Sequence, residues 1–308
     1  MPDLELLHHY LTVALPTMPV DNVRRELFGT SWVQLGLKVP YVMHGILALS
    51  AVHLYSIDHS RHDVIDRCHA HRNNALRLVR PAMVNMTEQE VIPIFILSTF
   101  IAVTALGDLS MSRFHSPHGR VDIIHAMVDC VELCRGIHTV IEPHWDYLRN
   151  SWAGPGVNYE DDLGAQLPAP IKVLYPVMLD LQDLARAAGT EEERDACLDA
   201  VQRCFESMAH LERLEDKSAS MRIVHIALMS LQRPFLNMLS AKDPIALVIM
   251  AHFTAMMHMT PEAWWTGGLA EMMFEHVKGL LDGRWGQLLA WPKSIVYGTT
   301  PVAMETEK

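Results

Sequence analysis

The stretch Tyr41–Ile57, YVMHGILALSAVHLYSI, introduced by Pro40, decides the fold class. Its apolar residues cover most of a helix surface, and a proline at the first helical position favours a helix start. A helix that is apolar nearly all round has to be surrounded by other elements, so this one belongs at the centre of a large core. Outward from it, helix signals recur through the whole chain, and strand-like alternation bounded by tight turns is nearly absent. Val91–Gly107, VIPIFILSTFIAVTALG, is a second uncharged run. Thr87 and Glu90 before it have the spacing of a capping box. The run falls short of the roughly 20 apolar residues of a membrane span, so it reads as a buried core helix.

The remaining helices follow from caps and breakers. Asp63–Arg80 mixes Arg, His and Asn with apolar positions and reads as a peripheral helix stopped by Pro81. Asp108–Gly119 reads as a loop, and Arg120–Gly136 as a helix closed by its glycine. Glu142–Pro170 is rich in Pro and Gly and carries Trp145, Tyr147 and Trp152, which suits a linker or a lid. A helix over Ile171–Ala188 ends at Gly189. Thr190 caps the next helix, with Glu191, Glu192 and Glu193 at the positive end of its dipole and a stripe of Leu198, Val201, Phe205 and Met208. One helix covers about Ser220–Ser240. Asp243-Pro244 opens another to about Met259, and Thr260-Pro261-Glu262 opens the last, with Trp265, Leu269, Met272, His276 and Leu280 on one face. The tail 301–308 reads as frayed. The expectation is an all-α, multi-helix orthogonal or bundle fold around a large apolar pocket. It is a single domain over 1–308 with a lid-forming segment at 142–170, although two closely packed helical halves fit the length equally.

Composition narrows the function classes. Of 308 residues, 50% are hydrophobic and only 20% charged, enough for a sizeable core and too apolar for long disordered tails. The formal net charge of -11 leaves no basic footprint, so no nucleic-acid partner is expected. The 19 methionines suit an adaptable core or an adaptable binding surface. The five cysteines, Cys68, Cys130, Cys134, Cys197 and Cys204, form no C-x-x-C pair. They read as buried free thiols of a cytoplasmic protein rather than metal ligands. Asp3 and Glu5 at the start argue against a secretory signal. There is no G-x-G-x-x-G, Walker loop, H-E-x-x-H or G-x-S-x-G. No cofactor and no metal are therefore expected.

What remains is an apolar pocket with a few polar groups, the general form of a small-molecule site. His225 and Arg233 lie eight apart on the Ser220–Ser240 helix, near one face, with Met229 between them and Gln232 beside Arg233. His258 ends the next helix, near Phe253 and Met257, just before Trp264-Trp265. Each polar residue also has an ordinary reading: a hydrogen-bonded core histidine, an arginine reaching water, a histidine at a helix C-terminus. As a site, Arg233 would stabilise developing oxygen charge and His258 or His225 would carry a proton. Trp264, Trp265, Phe253, Met257 and Met229, with Gln232, would bind substrate. Exposed Met and Trp leave a homodimer as a further expectation.

Several segments together resemble a known family. LELLHHY at Leu4–Tyr10, VPYVMHGILALSAVHL at Val39–Leu54, CRGI at Cys134–Ile137, DPIALVIMAHFTAMM at Asp243–Met257, EAWW at Glu262–Trp265 and LLAWPKS at Leu288–Ser294 occur in family order. They resemble the C-terminal regulatory domain of fungal binuclear-zinc-cluster transcription factors of the sterol-uptake-regulator type. The resemblance implies an all-helical domain holding a sterol-like ligand in a deep pocket. Members that bind DNA carry an N-terminal six-cysteine cluster, and here LELLHHY comes at once, which points to an orphan copy. Proteins similar to this fold are associated with hetero-Diels–Alder chemistry in tropolone sesquiterpenoid pathways. The leading expectation is therefore a cofactor-free cyclase of fungal secondary metabolism. It would hold a terpenoid beside a tropolone-like quinone methide and lower the entropic part of the barrier. The alternative is a non-catalytic sterol- or terpenoid-binding regulatory module.

Overall fold

The computed structural model describes residues 2–84, 86–115, 122–156, 176–214, 220–260 and 263–298. Every regular element among them is helical, as the periodicity requires. The chain divides into two compact units: Met1–Val121, Asp129–Asp162 and Ala263–Gly267 form the first, and Asp122–Val128, Leu163–Glu262 and Gly268–Lys308 the second.

In the first unit, α1 (Pro2–His9) opens into wider and then tighter turns up to Thr17. Two short helices follow, α2 (Asn22–Glu26) and α3 (Trp32–Gly36). The centre is α4 (Pro40–Ile57), flanked by α5 (His62–Val84) and α6 (Glu88–His115). Twelve residues of α4 are buried, including Val42, Ile46, Leu49, Val52 and Tyr55, so the opening stretch does occupy the core. Two glycines let α4 and α6 approach. A Cβ on Gly45 would meet Leu97 and Phe100 at 3.1 Å, and one on Gly107 would sit 2.6 Å from Val52. The helix α7 (Ile123–Ile141) belongs to this unit from Asp129 onward, its start to Val128 belonging to the second, and the short α8 (Trp145–Asn150) follows.

Several boundaries differ from the sequence expectation. The α5 helix runs through Pro81 to Val84, because a proline one turn from the end removes only one hydrogen bond and has a helical φ of its own. The expected loop at Asp108 is helical to His115, and α7 continues through Gly136 to Ile141. The glycine thus stands inside a helix, which costs about 1 kcal/mol against alanine but does not stop it. Of the irregular segment 142–170, the described part consists of short helical turns. Residues 157–170, the start of the Ile171 helix and the tail 301–308 lie outside the described residues. Pro40–Ile57 and Glu88–Ser112 are long and apolar enough to cross a membrane by length and composition, and 67% of each such window is buried inside the protein.

In the second unit, α9 (Val177–Ala185) precedes α10 (Glu191–Arg213). The Thr190 capping box forms as expected. The Glu193 N–H donates to Thr190 Oγ1 at 3.1 Å, and the Thr190 N–H donates to the Glu193 carboxylate at 2.8 Å. Thr190→Ala should therefore lower the stability of this unit by about 1 kcal/mol in urea denaturation, and no change would mean the cap is redundant. The expected helix over Ser220–Ser240 is two: α11 (Ser220–Met229) and α12 (Arg233–Ser240). Pro234 is the reason. It has no N–H for the carbonyl of Ser230, its ring collides with that carbonyl, and Gln232 is extended (φ -75°, ψ 152°).

Asp243 caps α13 (Pro244–His258) by accepting from the Ile245 N–H at 2.8 Å and the Ala246 N–H at 3.3 Å. The axes of α12 and α13 turn through 103°. Every residue from Ala246 to Met257 is buried, because α13 is packed by α9, α10, α12, α14 (Leu269–Leu280) and α15 (Gly286–Tyr297). The expected start at Thr260 does not form a helix. The Thr260 hydroxyl donates back to the Met257 carbonyl at 2.7 Å, residues 264–268 turn, and α14 begins after Gly268, whose φ is +69°. Pro261 and Glu262 lie outside the described residues. The inward face of α14 is Leu269, Ala270, Met273, Phe274 and Val277 rather than the set containing Met272, His276 and Leu280. The buried face lies about one residue further along than the expected stripe, because packing neighbours and not the apolar spacing alone choose it.

Candidate functional site

The break at Pro234 dissolves the expected polar face. His225, Gln232 and Arg233 are all exposed, and Met229 is only partly buried. His258 is exposed at the end of α13, its Nδ1 3.0 Å from Glu271 Oε1. A group that stabilises charge in a transition state works in a water-excluded site, and these four positions are at the surface. Phe253 and Met257 are buried at 0% and 7% exposure. Trp264 and Trp265 belong to the first unit, where their rings meet edge to face at 5.1 Å, and the Trp264 ring and the Trp265 Cβ each lie 3.5 Å from where a Gly107 Cβ would be. Among the described residues no three His, Cys, Asp or Glu side chains converge as a metal site, and all five cysteines are buried free thiols.

Of the buried imidazoles among the described residues, His53, His71 and His252, two are the most deeply enclosed. The first is His53 of α4, 2% exposed. Its Nε2 lies 3.2 Å from the Thr17 hydroxyl, and its Nδ1 lies 2.8 Å from His9 Nε2. The Thr17 proton goes to the Ala14 carbonyl at 2.7 Å, so Thr17 accepts from His53 Nε2–H. His53 Nδ1 is then an acceptor, and His9 Nε2–H donates to it. Trp264 meets the His53 ring edge to face at 4.8 Å, with its buried Nε1–H lacking an acceptor. Burial, reinforced by His9, pushes His53 down to about 4.

The second is His252, fully buried in the middle of α13. Its Nδ1 donates to the Val248 carbonyl at 2.9 Å. A carbonyl can only accept, so the proton is on Nδ1 and Nε2 presents a bare lone pair. That lone pair has no hydrogen-bond partner among the described residues. Its ring stacks on Trp291 of α15 (5.7 Å, 7° between planes) and lies 6.0 Å from Phe205 of α10. Leaving such an acceptor unpaired in a core costs about 1–3 kcal/mol. Burial pushes His252 down to about 4. A proton carrier is most effective with a pKa near the working pH, so both imidazoles are suited to accepting hydrogen bonds and poorly suited to moving protons. Neither was singled out from the sequence. The available signal was the one applied to His225, a histidine flanked by apolar residues inside an apolar helix, and it is present equally at His252.

Residues 5–137 match the family described as fungal specific transcription factor domain. Two relatives are the sterol uptake control protein 2 of Saccharomyces cerevisiae, 28% identical over 109 residues, and that of Candida albicans, 29% identical over 119 residues. The alignments cover 35% and 38% of this chain and only 12% and 16% of the relatives' own length. These matches overturn the expectation of a cyclase or hetero-Diels–Alderase. They are to regulators, and the groups assigned to oxygen stabilisation and proton transfer, Arg233, His225 and His258, are exposed. The transcription-factor-like regulatory reading, held as the alternative, is the one they favour.

Proposed function

We propose that this chain is a non-catalytic regulatory module that binds a largely apolar ligand of sterol or terpenoid type. The observation that carries the reading is the match of residues 5–137 to the fungal specific transcription factor domain. The two relatives are named for control of sterol uptake, which favours a ligand of that chemistry. Helices buried on nearly all sides, such as α13, supply the apolar surroundings such a ligand needs, and buried Met208, Met250 and Met256 supply side chains that can re-pack around it. Histidines held neutral suit recognition rather than turnover.

The test is thermal unfolding of the full chain with cholestanol or farnesol delivered from cyclodextrin. A ligand present at a hundred times its Kd adds about 2.7 kcal/mol, a rise in Tm of about 4 °C for a chain of this size, and is recovered chemically unchanged. No rise with either alcohol, or recovery of a converted product, overturns the reading.

A further inference from the structure

The unpaired nitrogen of His252 adds a specificity to this reading and rests on it. We propose that His252 Nε2 is the docking acceptor for the hydroxyl of an apolar alcohol taken up between α10, α13 and α15. The Val248 carbonyl holds the proton on Nδ1, so Nε2 can only accept. It is completely buried, and no side chain or backbone group among the described residues completes it. The other buried polar side chain of α13, Thr254, is satisfied by the Ala251 carbonyl at 2.7 Å, so the helix offers one open polar position. Around that position stand the flat faces of Phe205 and Trp291. One turn away on the same faces are Met208 (three residues after Phe205) and Met256 (four after His252), unbranched side chains that can shift to admit a rigid ring system.

This arrangement selects by donor chemistry. An alcohol donates its O–H to Nε2. A ketone, an ester or a carboxylate places a lone pair against a lone pair, and a plain hydrocarbon leaves the nitrogen unpaired as before. A charged amine could donate, but it would be buried among aromatic and thioether groups without a counter-charge. The ligand class is therefore a neutral, mainly hydrocarbon molecule with one free hydroxyl.

The experiment compares cholestanol with cholestanone, which share a skeleton and differ in the hydroxyl against the carbonyl. Both are titrated into the full chain from cyclodextrin and read by tryptophan fluorescence. The unaltered chain should bind the alcohol at least about tenfold more tightly than the ketone, the size of one buried hydrogen bond to an otherwise unpaired acceptor. His252→Phe, which keeps the ring volume and removes the acceptor, should bind the two alike. Equal affinity of the unaltered chain for alcohol and ketone overturns the role of His252 and leaves the regulatory module standing. A preference that survives in a folded His252→Phe chain does the same. Binding of neither sterol nor farnesol overturns both. The alcohol-to-ketone ratio of the unaltered chain decides the matter even where His252→Phe does not fold.

Discussion

Replacing Phe253 with alanine is expected to lower the stability of the second unit by about 3–5 kcal/mol. The ring is 0% exposed and sits in α13, which is packed by five other helices. Removing it takes away the transfer free energy of a phenyl group and leaves a cavity that surrounding helices close only in part. Total stabilities are of order 5–15 kcal/mol, so the variant should be substantially unfolded under mild denaturant. Phe253→Leu, which keeps most of the volume, should cost about 1 kcal/mol. Urea denaturation followed by far-ultraviolet circular dichroism measures both. The result also separates two roles for this residue. A loss under about 1 kcal/mol for Phe253→Ala would mean that the ring borders space already open to a ligand, and the core assignment would fall.

Acidification is the second large effect. His53 and His252 are held neutral in the folded chain, each with its pKa pushed down to about 4 by burial. In the unfolded chain both return to about 6.5. Below 6.5 the unfolded chain therefore takes up protons that the folded chain refuses until about pH 4. Stability is full above pH 6.5, declines as pH falls toward 4, and levels off beneath. For His252 the decline amounts to about 3 kcal/mol. Protonating His53 also puts a proton on Nδ1, where His9 Nε2–H already points, so His9 must move its own proton to Nδ1 or the bond breaks.

Carboxylates act in a separate, lower window. Glu5 is held below its usual range by the hydrogen bond from Arg67, and Asp122 by that from Lys242. Their contribution is present above about pH 4 and is lost beneath it. Unfolding measured at intervals from pH 7 to about 4 should show the histidine decline, and His252→Phe should flatten the part that belongs to the second unit. A profile level across that range would refute the assignment of neutral buried imidazoles.

Much of the fold was legible because local chemistry and tertiary packing agree. The caps at Thr190 and Asp243 work through hydrogen bonds within three residues, so spacing alone identifies them. Tyr41–Ile57 and Asp243–His258 are apolar on nearly every side, which leaves them no place except a core. The errors fell where one residue has two local outcomes. Pro81 and Gly136, expected as stops, lie inside helices, whereas Pro234 breaks the stretch Ser220–Ser240 expected as one helix. Which outcome wins depends on the burial available beyond the proline or glycine, a property of the neighbours.

The amino-acid sequence by itself determined the helical class, the central helices and the absence of the familiar phosphate-loop and hydrolase motifs. Composition and period are summed over many residues, so single misreadings do not disturb them. Tertiary structure alone decided which polar side chains are enclosed. Arg233, His225 and His258 differ from His53 and His252 in nothing that spacing along the chain records. A histidine in an apolar helix becomes a buried acceptor or a surface charge according to which way its turn faces and what packs there. That is settled by distant residues such as Thr17, Phe205 and Trp291.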